Sequence, residues 1–422
     1  LSCAVRLTAL GSQVTLFEAA PQAGGRARSV QWTSLGDSLS IDNGQHILIG
    51  AYRHCLDTMR EVGLNPEHLL MRLPFGLPTP QGWILRANQT PWLSGPLQIA
   101  LGTLTSQLSW PARSGLVRLG WKLLSAPPAA NVSVADWLPT LDTGVRRELI
   151  EPLCVAALNT YIAQASAQHF CQVLKSALFG PAGAADYLVP RVGLSALYAD
   201  AALAHLRQAG CDVRLTTPIR TLVAGPDQVD LNGEAFEACV VATSPHVLPG
   251  LLGPALCPEG LNALAFEPIA TVYLRLAAPP QGLPAPMMAL PQSDPDPLGH
   301  WLFDRWALDA APVSARGAPL LAIVTSAARA ALSCSRDEWL DRVQAQVSRA
   351  VPNLPAVVDR MLIVDKRATF SCVAGLPVLG HHTASPRVCI AGDFTQPLLP
   401  ATLEAAIQSG QNAALLVAKG AN

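Results

Sequence analysis

The sequence predicts an α/β fold with a second, inserted α+β domain, and three observations carry that expectation. Residues 1–10 have helical spacing, and residues 13–18, QVTLFE, are an apolar run closed by Glu18. A helix followed at once by a buried strand is the second half of a βαβ unit. Residues 239–243, CVVAT, and 388–391, VCIA, are further short apolar runs of the kind a parallel sheet buried on both faces requires. Between these pieces the chain is rich in Leu, Trp and Pro. The expected organisation is a discontinuous Rossmann-like domain from residues 1–73, 186–245 and 360–422, with a substrate-binding domain from 74–185 and 246–359.

Composition narrows the function. Half of the 422 residues are hydrophobic and 14% are charged, against about a quarter charged in ordinary globular chains. That excess suits a large core and an apolar cavity. A net charge of −1 argues against nucleic acid, which needs basic surface. Ten cysteines are scattered with no CxxC pair, so no zinc site is expected and a reducing cytoplasm fits. Residues 87–112 carry no charge but include Pro91, Gly95, Pro96, Gly102 and Pro111, which excludes a membrane span. Leu97, Leu101, Leu104 and Trp110, followed by Arg113, Arg118 and Lys122, suit either a helical cap packed on the protein or a segment lying on a membrane surface.

Taken in order, Gly11 stands where a helix-ending glycine belongs. Residues 29–39 suggest a hairpin or loop, and 74–181 are mostly helical in period. Leu194, Leu197, Tyr198, Ala201 and Leu206 mark an amphipathic helix, followed by a strand over 212–222. The prolines of 279–297 predict a loop or linker, 320–325 a strand and 337–350 a helix. Leu403, Ala406, Ile407, Gly410, Ala414 and Val417 recur at helical spacing after the last strand. No internal repeat is present.

The chemistry-bearing residues sit at the ends of these elements. In dinucleotide-binding folds an acid at the end of the second strand accepts hydrogen bonds from ribose hydroxyls, about 20 residues beyond a glycine loop. Glu18 occupies that place, so the first strand and the G-x-G-x-x-G turn would stand ahead of Leu1, and the 422-residue form is expected to be unstable and colourless. Gly24 and Gly25 let backbone N–H groups approach a pyrophosphate, and Arg26, with Arg28 beyond it, adds a forked donor. Gly392-Asp393 closes the last strand, and Thr402-Leu403 opens the last helix, whose N-terminus favours negative charge.

"VTLFEAAPQAGGRARS", "VPRVGLSALYADAALAHLRQAGCDVRLTTPIRTL", "VVATSP" and "AGDFTQPLLPATLEAAIQSGQNAA", four ordered motifs that span essentially the whole chain, resemble the flavin-dependent amine oxidase and phytoene desaturase superfamily. The resemblance implies FAD as cofactor, with Glu18 on ribose, Gly24, Gly25 and Arg26 on the diphosphate, and the backbone near Ile219 on adenine. It also implies Gly392, Asp393, Thr402 and Leu403 on the flavin side. Within the superfamily "IDNGQHILIGAYRHCLDTM" resembles the hydroxysqualene dehydroxylases of bacterial hopanoid pathways. That implies replacement of an allylic hydroxyl by hydride from reduced FAD, a C30 isoprenoid substrate, and functional neighbours among the enzymes that make hydroxysqualene.

Asp42 and His46 lie in that last stretch and are the candidate catalytic residues, with Tyr52 a lesser one. The competing expectation is that Asp42 and His46 only hold loops. His381-His382 suggests a loop pair, and no metal site, G-x-S-x-G, H-E-x-x-H or P-loop motif occurs. A carotenoid-type FAD desaturase, an amine oxidase of the same fold and a non-enzymatic prenyl-lipid carrier remain alternatives. The expected location is the cytoplasm, with peripheral contact on the inner face of a bacterial plasma membrane.

Overall fold

The computed structural model describes residues 1–90 and 93–420, so that Pro91, and position 92, in the uncharged stretch lie outside the described residues. Helix α1 (Ser2–Ala9) ends before Gly11, whose φ of +85° turns the chain into β1 (Thr15–Phe17). The hairpin β2 (Ser29–Ser34) and β3 (Asp37–Asp42) follows, then α2 (Arg53–Glu61). Helices α3 (Gly95–Thr105), α4 (Trp110–Leu124) and α5 (Ala167–Leu178) form a cap, and α6 (Asp200–Gln208) returns the chain to β4 (Asp212–Arg214) and β5 (Cys239–Val241).

Two parallel ladders bring the N-terminal, middle and C-terminal segments together. Strand β1 pairs with β4, Leu16 opposite Val213, and β5 pairs with β11 (Val388–Ile390), Val240 opposite Cys389. The last helix, α8 (Leu403–Gly420), packs lengthwise on α1. Gly410 permits the approach, because a Cβ there would stand 2.1 Å from Ser2 Oγ. The same helix reaches α2 through Glu404, whose carboxylate accepts from the backbone N–H groups of His54 at 3.0 Å and Cys55 at 2.9 Å. An acid there satisfies first-turn donors that helix geometry leaves unpaired.

The other half is an antiparallel sheet built from β6 (Phe266–Leu276), β7 (Met287–Ala289), β8 (Trp301–Asp304), β9 (Leu320–Thr325) and β10 (Val357–Phe370), in the order β7-β8-β9-β6-β10. Both faces are buried. Val272, Leu274, Leu302 and Ile323 meet Trp339, Val343 and Val347 of α7 (Arg336–Ala350), while Tyr273, Phe303 and Ala322 join the larger core beneath the cap. Two-sided burial is why residues 320–325 are apolar without alternation.

Several sequence expectations change here. Residues 74–181 begin with an antiparallel hairpin, Gly76–Thr79 with Gly82–Arg86, before the helices start. The proline-rich 279–297 segment contains β7, an edge strand, where missing N–H donors are tolerated. The strand expected over 212–222 stops at Arg214, because Thr216 takes a left-handed φ of +53°. Strand β10 runs across position 360, and it is paired with β6 from Phe370 to Val357, so it belongs to the five-stranded sheet.

Replacing Gly410 by Val is expected to force α1 and α8 apart and to cost about 1–3 kcal/mol of stability, the usual range for overpacking. A lowered urea midpoint with an unchanged slope is the measurement that checks it.

Candidate functional site

Residues from both ends of the chain converge beside the parallel ladders. The peptide N–H of Glu18 donates to the carbonyl of Arg214 at 2.9 Å, which carries the β1–β4 ladder one residue further. Its Oε1 accepts from the Ala20 N–H at 2.8 Å, and its carbonyl accepts from the N–H of Thr217 at 2.9 Å. The second carboxylate oxygen has no hydrogen bond among the described residues. The turn at Thr216–Thr217 thus lays the segment carrying Ile219 alongside Glu18. Asn232 clamps the neighbours of Ile219, accepting from the N–H of Arg220 at 2.8 Å and donating to the carbonyl of Pro218 at 3.1 Å. Ile219 lies in irregular chain outside the strands, and its own peptide group makes no hydrogen bond among the described residues.

Gly24 and Gly25 both have positive φ, +108° and +58°. At Gly24 a Cβ would also meet the Ala27 carbonyl oxygen at 2.7 Å. The turn they make aims Arg26 across the molecule. One terminal nitrogen donates to Asp393 Oδ2 at 2.6 Å and the other to the Ala368 carbonyl at 2.5 Å. The carboxylate beside it holds the Arg26 guanidinium even further into its charged form than usual. Arg28 differs: its Nε is buried with no partner among the described residues.

Asp393 follows Gly392, where extended backbone needs no glycine but a Cβ would collide with the Phe394 ring at 2.2 Å. The N–H of Gly392 donates to Ser409 Oγ at 2.8 Å, which ties the turn to α8. At the start of that helix Thr402 Oγ1 accepts from the N–H of Ala405 at 3.2 Å. The peptide N–H groups of Leu403 and Glu404 then point out of the first turn, as helix geometry dictates. Tyr52 lies beside Thr402, and burial pushes its phenol above the usual range.

The structure separates the two candidate catalytic residues. Asp42 is a connector. Its Oδ1 accepts from Ser29 Oγ at 2.9 Å and from the N–H of Leu194 at 2.8 Å, and its Oδ2 lies 3.9 Å from Arg305. Tyr273 Oη donates to the Asp42 carbonyl at 2.8 Å and accepts from Gln45 at 2.7 Å. Burial raises the Asp42 carboxyl above its ordinary value, and Arg305 works against that rise. His46 stands instead in the field of Arg26 and Asp365, and burial lowers its imidazole to about 4.

Gln45 was passed over although it stands next to His46 in the quoted stretch, and sequence patterns did not reveal Tyr273, Arg305 or Asp365, because each reaches the site from an element with no motif of its own. His169 of α5 was missed for the same reason. It accompanies Phe370, Leu379, Phe394 and Gln396 around a cleft beside the Asp393 turn, and its Nδ1 lies 2.9 Å from Ser166 Oγ. His381 is held rather than free. Its Nδ1 is 3.0 Å from the Ile390 carbonyl, which leaves Nε2 to accept from the Gln396 amide at 3.1 Å.

A family model described as flavin containing amine oxidoreductase matches residues 1–418. The chain belongs to that family. It is 27% identical over 444 residues to a hydroxysqualene dehydroxylase of Sinorhizobium fredii, covering 100% of this chain and 96% of that protein. A hydroxysqualene dehydroxylase of Rhodopseudomonas palustris is 27% identical over 438 residues, covering 99% and 95%. Among solved structures, cyclohexylamine oxidase from Brevibacterium oxydans superposes with a TM-score of 0.68 at 17% identity, covering 99% of this chain and 96% of that one. An oxidoreductase from Methanosarcina mazei reaches a TM-score of 0.72 at 14% identity, covering 97% and 96%. At these identities the structural likeness speaks for the fold.

As a member of that family, the protein is an FAD-dependent oxidoreductase. Its residues fit that cofactor on two counts. The buried Arg28 Nε lacks an acceptor, which an anionic diphosphate would provide. The Gly24 turn makes the concavity that a side chain would fill. Glu18 would accept from ribose hydroxyls, the Ile219 backbone would meet adenine, and Asp393 with the N-terminus of α8 would face the flavin end.

Glu18→Ala and Arg28→Ala are each expected to weaken FAD binding about tenfold to a hundredfold, the worth of one hydrogen bond to a charged group. Flavin retention on dialysis checks this, and undiminished retention in both variants would refute the assignment.

Proposed function

We propose that the protein reduces hydroxysqualene to squalene, replacing the allylic hydroxyl of a C30 isoprenoid by hydride. The observation that carries this is the end-to-end similarity to relatives named hydroxysqualene dehydroxylase. The segment from Asp42 to Met59 supports it too, because it resembles those enzymes and is held at Asp42 and at His54–Cys55 by groups from other parts of the chain.

In this reaction the allylic C–O bond breaks and the oxygen takes a proton and leaves as water. The hydride for the new C–H bond would come from bound reduced FAD, which would be left oxidised. The protein's own residues orient the partners and exclude water. Asp42 is a positioning residue: it locks the β2–β3 hairpin to the Leu194 turn and, through Tyr273 and Gln45, fixes the loop that carries His46. His46 is the group we place nearest the chemistry. With its imidazole at about 4 it is neutral at pH 7. It therefore serves as a neutral hydrogen-bonding group toward the departing oxygen or the cofactor edge, and not as an imidazolium acid.

Anaerobic incubation of the flavin-loaded, prereduced protein with hydroxysqualene is expected to yield squalene by mass spectrometry. No squalene, with turnover of an amine or a carotenoid precursor instead, would overturn the proposal.

A folded-state value of about 4 for His46 against about 6.5 for a free histidine fixes the sign of a pH effect. The unfolded chain binds more protons between those values, so stability present above about pH 6.5 is lost as pH falls toward 4. His46→Asn is expected to flatten that part of the curve in denaturant melts, and an unchanged slope would contradict it.

A further inference from the structure

We propose that the outer face of α3 and α4 is a docking surface for an anionic phospholipid bilayer. The inference stands on the surface alone and does not depend on the substrate. Leu97, Leu101 and Leu104 are 52%, 38% and 51% exposed, at spacings of four and three residues along one side of α3. Trp110, Val117, Trp121 and Leu124 continue the stripe along α4, and the two tryptophans are the most open, at 75% and 72%. The opposite sides of both helices are occupied. Gln98, Gly102 and Thr103 on α3 and Ala112, Gly115, Leu119 and Leu123 on α4 are buried against the protein. At Gly102 a Cβ would strike the Arg86 carbonyl oxygen at 2.3 Å, so the helix is pressed onto the hairpin below it and cannot turn its leucines inward.

Charge selects the occupant. Residues 87–135 contain Arg113, Arg118 and Lys122 and no Asp or Glu. All three cations lie on the helix that bears the tryptophans. Arg113 binds the carbonyls of Leu104, Ser106 and Leu108, which fixes the angle between α3 and α4, and its guanidinium lies 5.3 Å from the ring centre of the exposed Trp110. Lys122 donates to the Trp137 carbonyl while remaining exposed, and Arg118 makes no hydrogen bond or ion pair among the described residues. A second copy of this chain would set these cations against one another across a two-fold contact. An anionic headgroup layer neutralises them, and indole rings beside leucines suit the headgroup–acyl boundary. No helix among the described residues is long and apolar enough to cross a membrane, so the contact is one of lying on the surface.

The test uses the flavin-loaded protein with vesicles of phosphatidylcholine alone or mixed with phosphatidylglycerol. Flotation with the anionic vesicles, weakened by high salt and by Arg118→Glu, is expected. The double variant Trp110→Ser/Trp121→Ser should lose about tenfold or more in vesicle affinity, given the apolar area removed, while its thermal midpoint and bound flavin stay unchanged because both rings are open to solvent. Failure of the parent protein to float with anionic vesicles would overturn the proposal. So would flotation that the double variant leaves intact, or a dimer that the double variant dissolves while the parent ignores vesicles.

Discussion

The ion pair between Arg26 and Asp393 joins residues 367 positions apart, and much of the site's geometry hangs from it. Asp393 is buried, with a side chain only 6% exposed, while Arg26 is 36% exposed. A buried carboxylate without a partner carries a heavy desolvation cost, so the arginine is needed there whatever else it does. Its second terminal nitrogen holds the Ala368 carbonyl at the end of β10, so one guanidinium ties the glycine turn, the five-stranded sheet and the last strand together. Arg26 thereby has an architectural role, and the neighbouring Arg28 keeps a buried donor without a partner among the described residues.

A second set of constraints locates the segment between β3 and α2. Asp42 is held by Ser29, Leu194, Tyr273 and Arg305, and the first turn of α2 is held by Glu404 of α8. The segment is pinned at both ends by groups from other parts of the chain, and His46 lies in between. In the proposed reaction, fixing a polar group through its backbone neighbours matters, since the reacting atoms must approach within a narrow range of distance and angle. Burial then keeps the imidazole uncharged, so the same packing that positions His46 also decides its protonation state.

The apolar excess of the chain divides into two kinds. One is core, as in the five-stranded sheet, where β9 is covered on both faces and residues 320–325 read as an apolar run without alternation. The other is the open stripe on α3 and α4, where Leu97, Leu101, Leu104, Trp110 and Trp121 face out while Gly102, Ala112, Leu119 and Leu123 face the protein. Composition registers both equally, and only burial tells them apart.

Local features were determined by the sequence alone. The helix–strand unit ending at Glu18, the glycine turn, the strand before Gly392 and the last helix were readable because each rests on short-range chemistry. Apolar period, left-handed glycine and helix-opening residues act within a few positions of one another. The flavin cofactor was readable for the same reason, since its motifs are contiguous. Tertiary structure decided the rest. β6 was not picked out, because two-sided burial erases the alternation that marks a strand, and β10, a partly exposed edge strand, was not picked out because Asp359, Arg360, Asp365, Lys366 and Arg367 break its apolar pattern. The strand beyond Arg214 was broken by one left-handed threonine. The pairing of Arg26 with Asp393, the four partners of Asp42 and the orphaned Arg28 Nε depend on residues far apart in the chain. No local pattern encodes such contacts, because hydrogen bonding and ion pairing are satisfied in space and carry no period along the sequence.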